Sequence, residues 1–396
     1  MLINNVDQKP SLESKFKKKA DCFFVFLEIF ECEGGIQSYI KDIFRAYLGF
    51  TEAYHGHVFL LRDSSCCSNI YECERLQFHY FKSHSPQIGR VKMTAALLKS
   101  LLQQRPQHVF CGHIKLAVLV QTLCQPLGIP YTVLTYGKEV WEVLPPQQQR
   151  ALASATKILT ISRHSRDRLC AANSIDPNKV HLLPCAIDEN KFTPGLKQPE
   201  LIDKYDLAGA KVLMTVARLW SGDIYKGVDV TIRALPQISE VFPEVKYLVI
   251  GRGDDQPRLA QLAKDLGVAE RVVFAGFIPT EELVTHYRLA DAYVMPSQEG
   301  FGIVYLEAMA CGVPVLAGDA DGSAEPLHDG KLGWRVPHRD PDAVAKACIE
   351  ILKGQDRRCD GQWLREEAIA CFGKEAFQER LQQELLFLEP TPLSCC

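Results

Sequence analysis

The chain has 396 residues, which is long enough for two domains that each bury their own core. Apolar residues make up 47% and charged residues 23%, with a net charge of −3, so the composition is globular. A nucleic-acid-binding protein needs a strongly basic face, which this balance does not predict. The 15 cysteines include no C-x-x-C pair, and we interpret them as reduced thiols rather than disulfides or zinc ligands.

Residues 1–20 form a polar leader that ends in several lysines. The apolar run at 22–29 behind it is short and contains Glu28, so it is predicted as a buried strand and not as a signal peptide. No segment approaches the ~20 apolar residues that cross a bilayer. We therefore expect a cytoplasmic protein, and contact with the inner face of a membrane stays open because lysines attract anionic lipid.

Strands alternate with helices through the first half, which predicts a mostly parallel, doubly wound sheet. Gly34 and Gly35 open the first helix, at a turn where glycine lets the backbone approach a phosphate group. His113 and Tyr136 follow strand ends, at the sheet edge where ligands bind. Apolar strands are predicted at 57–61, 109–112, 131–135 and 157–161, with helical patterns at 93–102 and 117–127.

The second half repeats the alternation, with strands predicted near 212–217, 247–250, 272–277, 292–295 and 313–317. Arg218 follows the first of these strands and Lys226 opens the next helix, so two cations that suit a diphosphate reach one sheet edge. The sequence GRGDD has Gln256 where a dinucleotide fingerprint needs glycine, which argues against a nicotinamide dehydrogenase. Asp319 and Asp321 are interpreted as loop and helix-cap residues, and no other cluster has the spacing of metal ligands.

The stretch 291–317 reads as strand, glycine-containing loop, helix and strand. Its helix is predicted to begin near Ile303 and to end at Gly312, so its N-terminus offers an anion site at the carboxyl edge of the sheet. Glu299 lies in the loop and Glu307 about one turn into the helix. A diphosphate would be repelled by both carboxylates, so they are expected to accept hydrogen bonds from the hydroxyl groups of a sugar nucleotide.

The segment EGFGIVYLE resembles the E-x7-E signature of the family 4 retaining glycosyltransferases (group 1 glycosyltransferases), which have the GT-B fold. The resemblance covers nearly the whole chain, from Phe23 to about Leu388. It implies an α/β architecture of two Rossmann-like, doubly wound domains that face a cleft. We expect these domains at 21–192 and 193–372, with a linker at about 193–210 and a segment at 373–396 whose helix returns to the first domain.

The resemblance also implies a function, which is transfer of a hexosyl group from a UDP-, GDP- or ADP-sugar with retention of configuration. The acceptor would be a glycan, a lipid-linked molecule or a small molecule, and no metal or other cofactor is expected. In the family the first glutamate contacts the donor sugar and the second the ribose. The expected site residues are Glu299, Arg218 and Lys226 for catalysis; Gly34, Gly35, Gly251, Phe277, Gly300, Phe301, Gly302, Ile303, Val304 and Glu307 for donor binding; and Gln37, His113 and Tyr136 on the acceptor side.

The sequence departs from the family pattern at two positions. Tyr136 stands where a histidine is common, and Ala186 replaces a glycine in the segment between the two halves. Two alternatives to a transferase stay open, and the second of them rests on Tyr136. A GT-B epimerase would use the same nucleotide cleft and release an epimerised sugar without an acceptor, and a sugar-nucleotide-binding protein would bind the donor without turnover.

Overall fold

The computed structural model describes residues 20–32, 34–50 and 54–385, in which the strands form two parallel sheets. Residues 1–19 of the predicted leader and residues 386–396 lie outside these ranges. Within the described residues, no helix combines the length and apolar character that crossing a bilayer requires.

The first half of the chain forms a seven-stranded parallel sheet. Its strands are β1 (Ala20–Phe26), β2 (Tyr54–Leu60), β3 (Leu76–Tyr80), β4 (His108–Cys111), β5 (Tyr131–Thr135), β6 (Lys157–Thr160) and β7 (Val180–Leu182). They pair in the order β3-β2-β1-β4-β5-β6-β7. The helices are α1 (Gly35–Gly49), α2 (Pro86–Gln104), α3 (Ile114–Cys124), α4 (Pro146–Ser154) and α5 (Arg163–Asn173). The predicted doubly wound sheet is confirmed.

The second half forms a six-stranded parallel sheet. Its strands are β8 (Lys211–Val216), β9 (Val245–Ile250), β10 (Val272–Gly276), β11 (Ala292–Met295), β12 (Val315–Gly318) and β13 (Trp334–Val336), in the order β10-β9-β8-β11-β12-β13. The helices are α6 (Pro199–Lys204), α7 (Val228–Val241), α8 (Gln256–Asp265), α9 (Leu283–Tyr287), α10 (Ile303–Ala310), α11 (Pro341–Lys353), α12 (Gly361–Phe372) and α13 (Lys374–Leu385). This strand order is that of a dinucleotide-binding Rossmann sheet.

Four elements differ from the sequence-based expectation. Strands β3, β7 and β13 were not predicted, because β3 carries several polar residues and the other two are only three residues long. The linker predicted at 193–210 contains the short helix α6, which starts with a proline in its first turn.

The strand order shows where the ligand-binding edge of each sheet lies. The order reverses between β1 and β4 in the first sheet and between β8 and β11 in the second. In open parallel sheets the crevice lies outside the carboxyl ends of the strands at this point. The loops that follow these four strands carry Gly34, His113, Arg218 and Glu299.

The chain passes between the two halves twice, and the two crossings lie side by side. The first crossing includes Ile187 and Asp188, and the second lies between α12 and α13. The Ile187 amide donates to the Phe372 carbonyl oxygen at 2.7 Å. Lys374 forms an ion pair with Asp188. The crossings are therefore held together by a backbone hydrogen bond and a pair of opposite charges.

Helix α13, the last helix among the described residues, packs against α1 of the first half. The Phe377 side chain is buried, and its ring centroid lies 5.8 Å from that of Tyr39 in an edge-to-face arrangement. Gln378 Nε2 donates to the Gly49 carbonyl oxygen at 3.3 Å. The helix is therefore part of the core beneath α1.

We expect the Phe377→Ala variant to lose about 3–5 kcal/mol of unfolding free energy, because truncation leaves a cavity between α1 and α13. Denaturant unfolding followed by circular dichroism measures this loss. The matched control is Gln382→Ala on the exposed side of α13, which should stay within about 0.5 kcal/mol of the wild type. Equal stability of the two variants would contradict the anchoring of α13 through Phe377.

Candidate functional site

Two adjoining cavities lie where the carboxyl edges of the two sheets face each other. The first cavity measures about 400 Å³ and contains Glu307. The second cavity measures about 330 Å³ and contains Lys226 and Glu299. Gly35, Ile303 and Val304 line both, so α1 and α10 meet where the cavities join.

The N-terminus of α10 points into this junction. The helix begins at Ile303, as predicted, and Gly302 before it has a φ of 89°. A Cβ atom on Gly302 would lie 2.4 Å from the Tyr305 ring, so both its conformation and its surroundings require glycine. The Tyr305 hydroxyl donates to the Met295 carbonyl oxygen at 2.6 Å and ties the helix to the end of β11. The unpaired amide groups of the first turn are thus aimed at the cavities.

Glu299 and Lys226 form an ion pair in the wall of the second cavity. Their side chains are only 17% and 20% exposed, so water screens the pair little. The Glu299 amide donates to the Asp321 carboxylate. Asp321 also accepts from the Ser323 amide at 2.9 Å, which confirms its predicted helix-cap role. Asp321, in the loop after β12, therefore holds the loop that carries Glu299 in place.

Arg218 lies beside this pair but outside both cavities. Its side chain is 67% exposed, and Arg218 Nε lies 2.6 Å from Asp223 Oδ2. Arg218 and Lys226 together line a shallow depression next to the second cavity. The structure thus brings both predicted cations to one sheet edge and places only Lys226 against Glu299.

Lys138 is a third cation at this site and was not assigned a role from the sequence. It follows β5 in the first half, and its Nζ lies 3.2 Å from the ring centroid of Tyr225, next to Lys226. Burial lowers the pKa of the Lys138 ammonium group. This contact joins residues from the two halves of the chain. Sequence patterns within either half therefore could not predict it. Lys138 and Lys226 thus both lie over the Tyr225 ring, so the first half contributes a cation close to Lys226.

Glu307 is a half-buried carboxyl group in the wall of the first cavity. It lies in the second turn of α10, where the Tyr287 hydroxyl donates to Glu307 Oε2 at 2.7 Å. Burial raises the pKa of Glu307 to about 7. The carboxyl group therefore changes charge near neutral pH and has one oxygen available for a ligand.

The start of α1 forms the opposite wall of the first cavity. Gly34 is the N-cap of α1, and Gly34, Gly35 and Gln37 line the cavity. The donor role of the two glycines and the acceptor role of Gln37 stay predictions. The loop that leads to Gly34 is held by Asp63, whose carboxylate accepts from the Ile29 amide at 2.6 Å. Since Asp63 lies beyond β2, only the fold brings it to this loop.

Further charged side chains of this wall were missed by the sequence analysis. Asp42 and Arg45 pair on the next turn of α1, and burial raises the pKa of Asp42 to about 6. Asp188 and Lys191 face them from the first crossing. Helical spacing in the sequence shows only that Asp42 and Arg45 lie on one face of α1. The first crossing has no periodic pattern, so the sequence does not indicate that Asp188 and Lys191 lie near them.

The acceptor-side predictions for His113 and Tyr136 have different outcomes in the structure. His113 lines neither cavity, and its Nδ1 accepts from the Lys115 amide at 3.1 Å as the cap of α3. Tyr136 lines the second cavity, and its hydroxyl donates to the Gly112 carbonyl oxygen at 2.8 Å. The structure therefore gives His113 a capping role, and the acceptor role of Tyr136 stays a prediction.

Gly251 and Phe277, predicted for donor binding, line neither cavity. Gly251 has a φ of 136°, and a Cβ atom on it would lie 1.8 Å from the Ala217 carbonyl oxygen, so backbone packing explains the glycine. Phe277 is 56% exposed and stacks with Arg252 at 4.9 Å. The remaining predicted donor residues, Gly300 and Phe301, line the second cavity.

No group of three or more His, Cys, Asp or Glu side chains in the described ranges could hold a metal ion.

Comparison with known proteins finds a family match in the second half of the chain and relatives that match longer stretches. Residues 210–354 match the family described as glycosyl transferases group 1. The chain is 37% identical over 231 residues to a GDP-mannose-dependent alpha-(1-6)-phosphatidylinositol monomannoside mannosyltransferase of Mycolicibacterium smegmatis, which covers 55% of this chain and 59% of that protein. It is 28% identical over 339 residues to a GDP-mannose-dependent monoacylated alpha-(1-6)-phosphatidylinositol monomannoside mannosyltransferase of Corynebacterium glutamicum, covering 82% and 87%. The match to the mycobacterial relative thus spans little more than half of its length.

Known structures resemble most of the chain. Anabaena HepE in complex with UDP superposes with a TM-score of 0.72 and 18% identity, covering 92% of this chain and 99% of that one. A glycosyltransferase from Rickettsia africae has a TM-score of 0.74 and 16% identity, covering 95% and 100%. These similarities, together with the two parallel α/β sheets, establish the GT-B fold. Residues 210–354 thus match the group 1 glycosyltransferase family, and the chain has the GT-B fold.

Proposed function

We propose that the chain is a retaining hexosyltransferase that moves a sugar from a nucleoside-diphosphate sugar to an acceptor hydroxyl group, with no metal ion required. The observation that carries the proposal is the shielded Lys226–Glu299 ion pair beside the N-terminus of α10. The M. smegmatis and C. glutamicum relatives are named for GDP-mannose and for phosphatidylinositol monomannoside. We therefore propose GDP-mannose as the donor and a lipid-linked mannoside as the acceptor.

Each of the two cavities binds a different part of the donor. The nucleoside occupies the first cavity, where Glu307 accepts hydrogen bonds from the ribose hydroxyl groups. The diphosphate lies at the junction, against the first turn of α10 and close to Gly34 and Gly35. The sugar occupies the second cavity, where Glu299 accepts from its hydroxyl groups. This arrangement keeps both carboxylates away from the phosphate groups, which they would repel.

The reaction requires stabilisation of the charge that develops on the departing diphosphate. As the bond between the anomeric carbon and the phosphate oxygen breaks, its electron pair moves to that oxygen. The α10 amides and the Lys226 ammonium group stabilise this charge because they are oriented before the reaction begins. The acceptor oxygen forms the new bond on the same face, and its proton passes to the phosphate oxygen. Glu299 is held by Lys226 and Asp321, so we assign it sugar binding rather than nucleophilic attack.

The decisive experiment combines donor binding with product analysis. Calorimetry with GDP, UDP and ADP in the presence of EDTA identifies the nucleotide, and we expect GDP to bind most tightly. Incubation with GDP-mannose and phosphatidylinositol monomannoside should then yield a product with an α-linkage by NMR. Release of an epimerised free sugar without acceptor would support the epimerase alternative, and binding without turnover would support a binding protein.

We expect Lys226→Ala to lower kcat about 10²-fold to 10³-fold, because one preorganised donor to the leaving group is removed. The same range is expected for Arg218→Ala, which lies at the same sheet edge. Initial rates of transfer from GDP-mannose measure both effects. The control is Lys211→Ala, an exposed lysine at the opposite end of β8, which should leave kcat unchanged. Turnover near the wild-type value would remove the substituted residue from the mechanism.

Donor affinity should increase with pH through the titration of Glu307. With a pKa of about 7, the group is mostly protonated at pH 6 and mostly ionised at pH 8, and the ionised form is the better acceptor for two ribose hydroxyl groups. If only that form binds, affinity for GDP-mannose should rise about tenfold over this range. GDP-mannose is the proper probe because its diphosphate does not titrate there.

The matched variant is Glu307→Gln, which keeps the shape and cannot ionise. Its affinity should be weaker than that of the wild type at pH 8 and independent of pH. A pH dependence equal to that of the wild type would show that another group is responsible.

A further inference from the structure

Lys138 lies at the carboxyl edge of the first sheet and faces the second half of the chain. The turn before it is fixed by Glu139, whose Oε1 accepts from the Tyr136 amide at 2.5 Å and from the Gly137 amide at 3.2 Å. Gly137 has a φ of 147°, and a Cβ atom on it would lie 3.6 Å from the Gly300 Cα atom. The backbone at Lys138 is therefore held against the loop that precedes α10.

The Tyr225 ring supports two lysines that come from opposite halves of the chain. Lys138 Nζ lies 3.2 Å from the ring centroid, and Lys226 Nζ lies 5.5 Å from it. Both contacts are cation–π interactions. The Tyr225 carbonyl oxygen accepts from the Gln298 amide at 3.1 Å, so the ring is tied to the residue next to Glu299. Lys138 therefore adjoins the Lys226–Glu299 ion pair.

The charges around this ring leave one cation over. Arg218 is paired with Asp223, and Lys226 is paired with Glu299. Lys138 forms no ion pair with a carboxylate in the part of the chain that the structure describes. Partial removal of water lowers the pKa of its ammonium group, and the neighbouring Lys226 and Arg218 lower it further. Asp223 and Glu299 oppose this effect. A ligand with negative charge would therefore relieve the repulsion among the three cations.

We propose that Lys138 is a further catalytic residue, which the first half contributes to the departing diphosphate. In the structure its ammonium group lies on the Tyr225 ring, whose face carries only a partial negative charge. A bound donor offers phosphate oxygens that carry full charges, and the flexible lysine side chain moves onto them. The inference rests on the proposed function, because it requires a diphosphate beside Lys226.

The chemical role of Lys138 is charge stabilisation. The bond between the anomeric carbon and the phosphate oxygen breaks, and its electron pair moves to that oxygen. Lys138 forms no covalent bond and keeps its proton, and its ammonium group donates a hydrogen bond to the oxygen whose charge grows. Lys226 and α10 belong to the second half, whereas Lys138 belongs to the first. The leaving group is therefore stabilised from both sides only when the two halves are together.

Position favours the donor over the acceptor as the ligand of Lys138. Lys138 shares the Tyr225 ring with Lys226, which lines the second cavity beside Glu299. Residues 300–304, at the start of α10, line the same cavity. In a lipid-linked mannoside the phosphate group lies on the lipid side of the sugar ring, away from the hydroxyl group that attacks. The phosphate nearest to Lys226 is thus that of the donor.

A comparison of GDP with GMP isolates the phosphate group that Lys138 contacts. By calorimetry, we expect Lys138→Gln to bind GDP about 10-fold to 10²-fold more weakly than the wild type does, because one hydrogen bond from a charged donor is lost. GMP lacks the terminal phosphate, so its affinity should not change. The uracil and adenine nucleotides are titrated in the same pairs, which identifies the base that the wild type binds.

Turnover provides the second readout. With GDP-mannose and phosphatidylinositol monomannoside, we expect Lys138→Gln to lower kcat about 10²-fold. Lys138→Arg should retain most of the activity, because a guanidinium group also binds phosphate. The matched control is Lys353→Gln, which removes a positive charge from an exposed lysine at the end of α11 and should behave as the wild type does. Equal thermal midpoints show that the variants are folded.

Three results would overturn the role of Lys138. Equal losses of affinity for GDP and GMP would indicate a structural role. Unchanged GDP affinity and kcat with a raised KM for the acceptor would assign Lys138 to the acceptor instead. If the wild type prefers GDP to GMP and Lys138→Gln shows the same preference, the transferase proposal stands and the inference about Lys138 is wrong. A wild-type protein that binds none of the three diphosphates would overturn both.

Discussion

The geometry of the site depends on the close approach of Gly300 to the first half of the chain. The Ser162 hydroxyl donates to the Gly300 carbonyl oxygen. A Cβ atom on Gly300 would lie only 2.9 Å from the Tyr136 carbonyl oxygen. Because glycine has no side chain, the two backbones can meet at this point. Glu299 and the first turn of α10 adjoin this contact, and it fixes their position relative to the opposite sheet.

The other contacts across the cleft are mostly polar. Arg163 at the start of α5 pairs with Glu325 at 2.6 Å and with Asp329 at 2.7 Å. These pairs are partly exposed, so each contributes little free energy but restricts the orientation of the two halves. Lys138 on the Tyr225 ring adds a further contact. A cleft joined by such contacts can separate at small cost, which a site that must admit a donor and release a nucleotide requires.

Sequence alone predicted the parts that depend on local pattern. The strand and helix at 292–310 were predicted closely, since a buried apolar run and a glycine loop specify them. Short edge strands such as β13 were missed because three residues carry little periodicity. Lys138 and Asp42 were missed because their partners or neighbours come from distant parts of the chain. In α2 both faces are apolar, and sequence cannot tell which one the fold covers.

The paired crossings between the two halves limit how the cleft can open. Because Ile187 is bonded to Phe372 and Asp188 to Lys374, the two segments behave as one short double strand. Sliding or twisting one half against the other would break these bonds. Swinging about an axis through the double strand leaves them intact. The paired crossings thus favour rotation about this point over other relative movements of the two halves, because rotation is the movement that keeps both bonds.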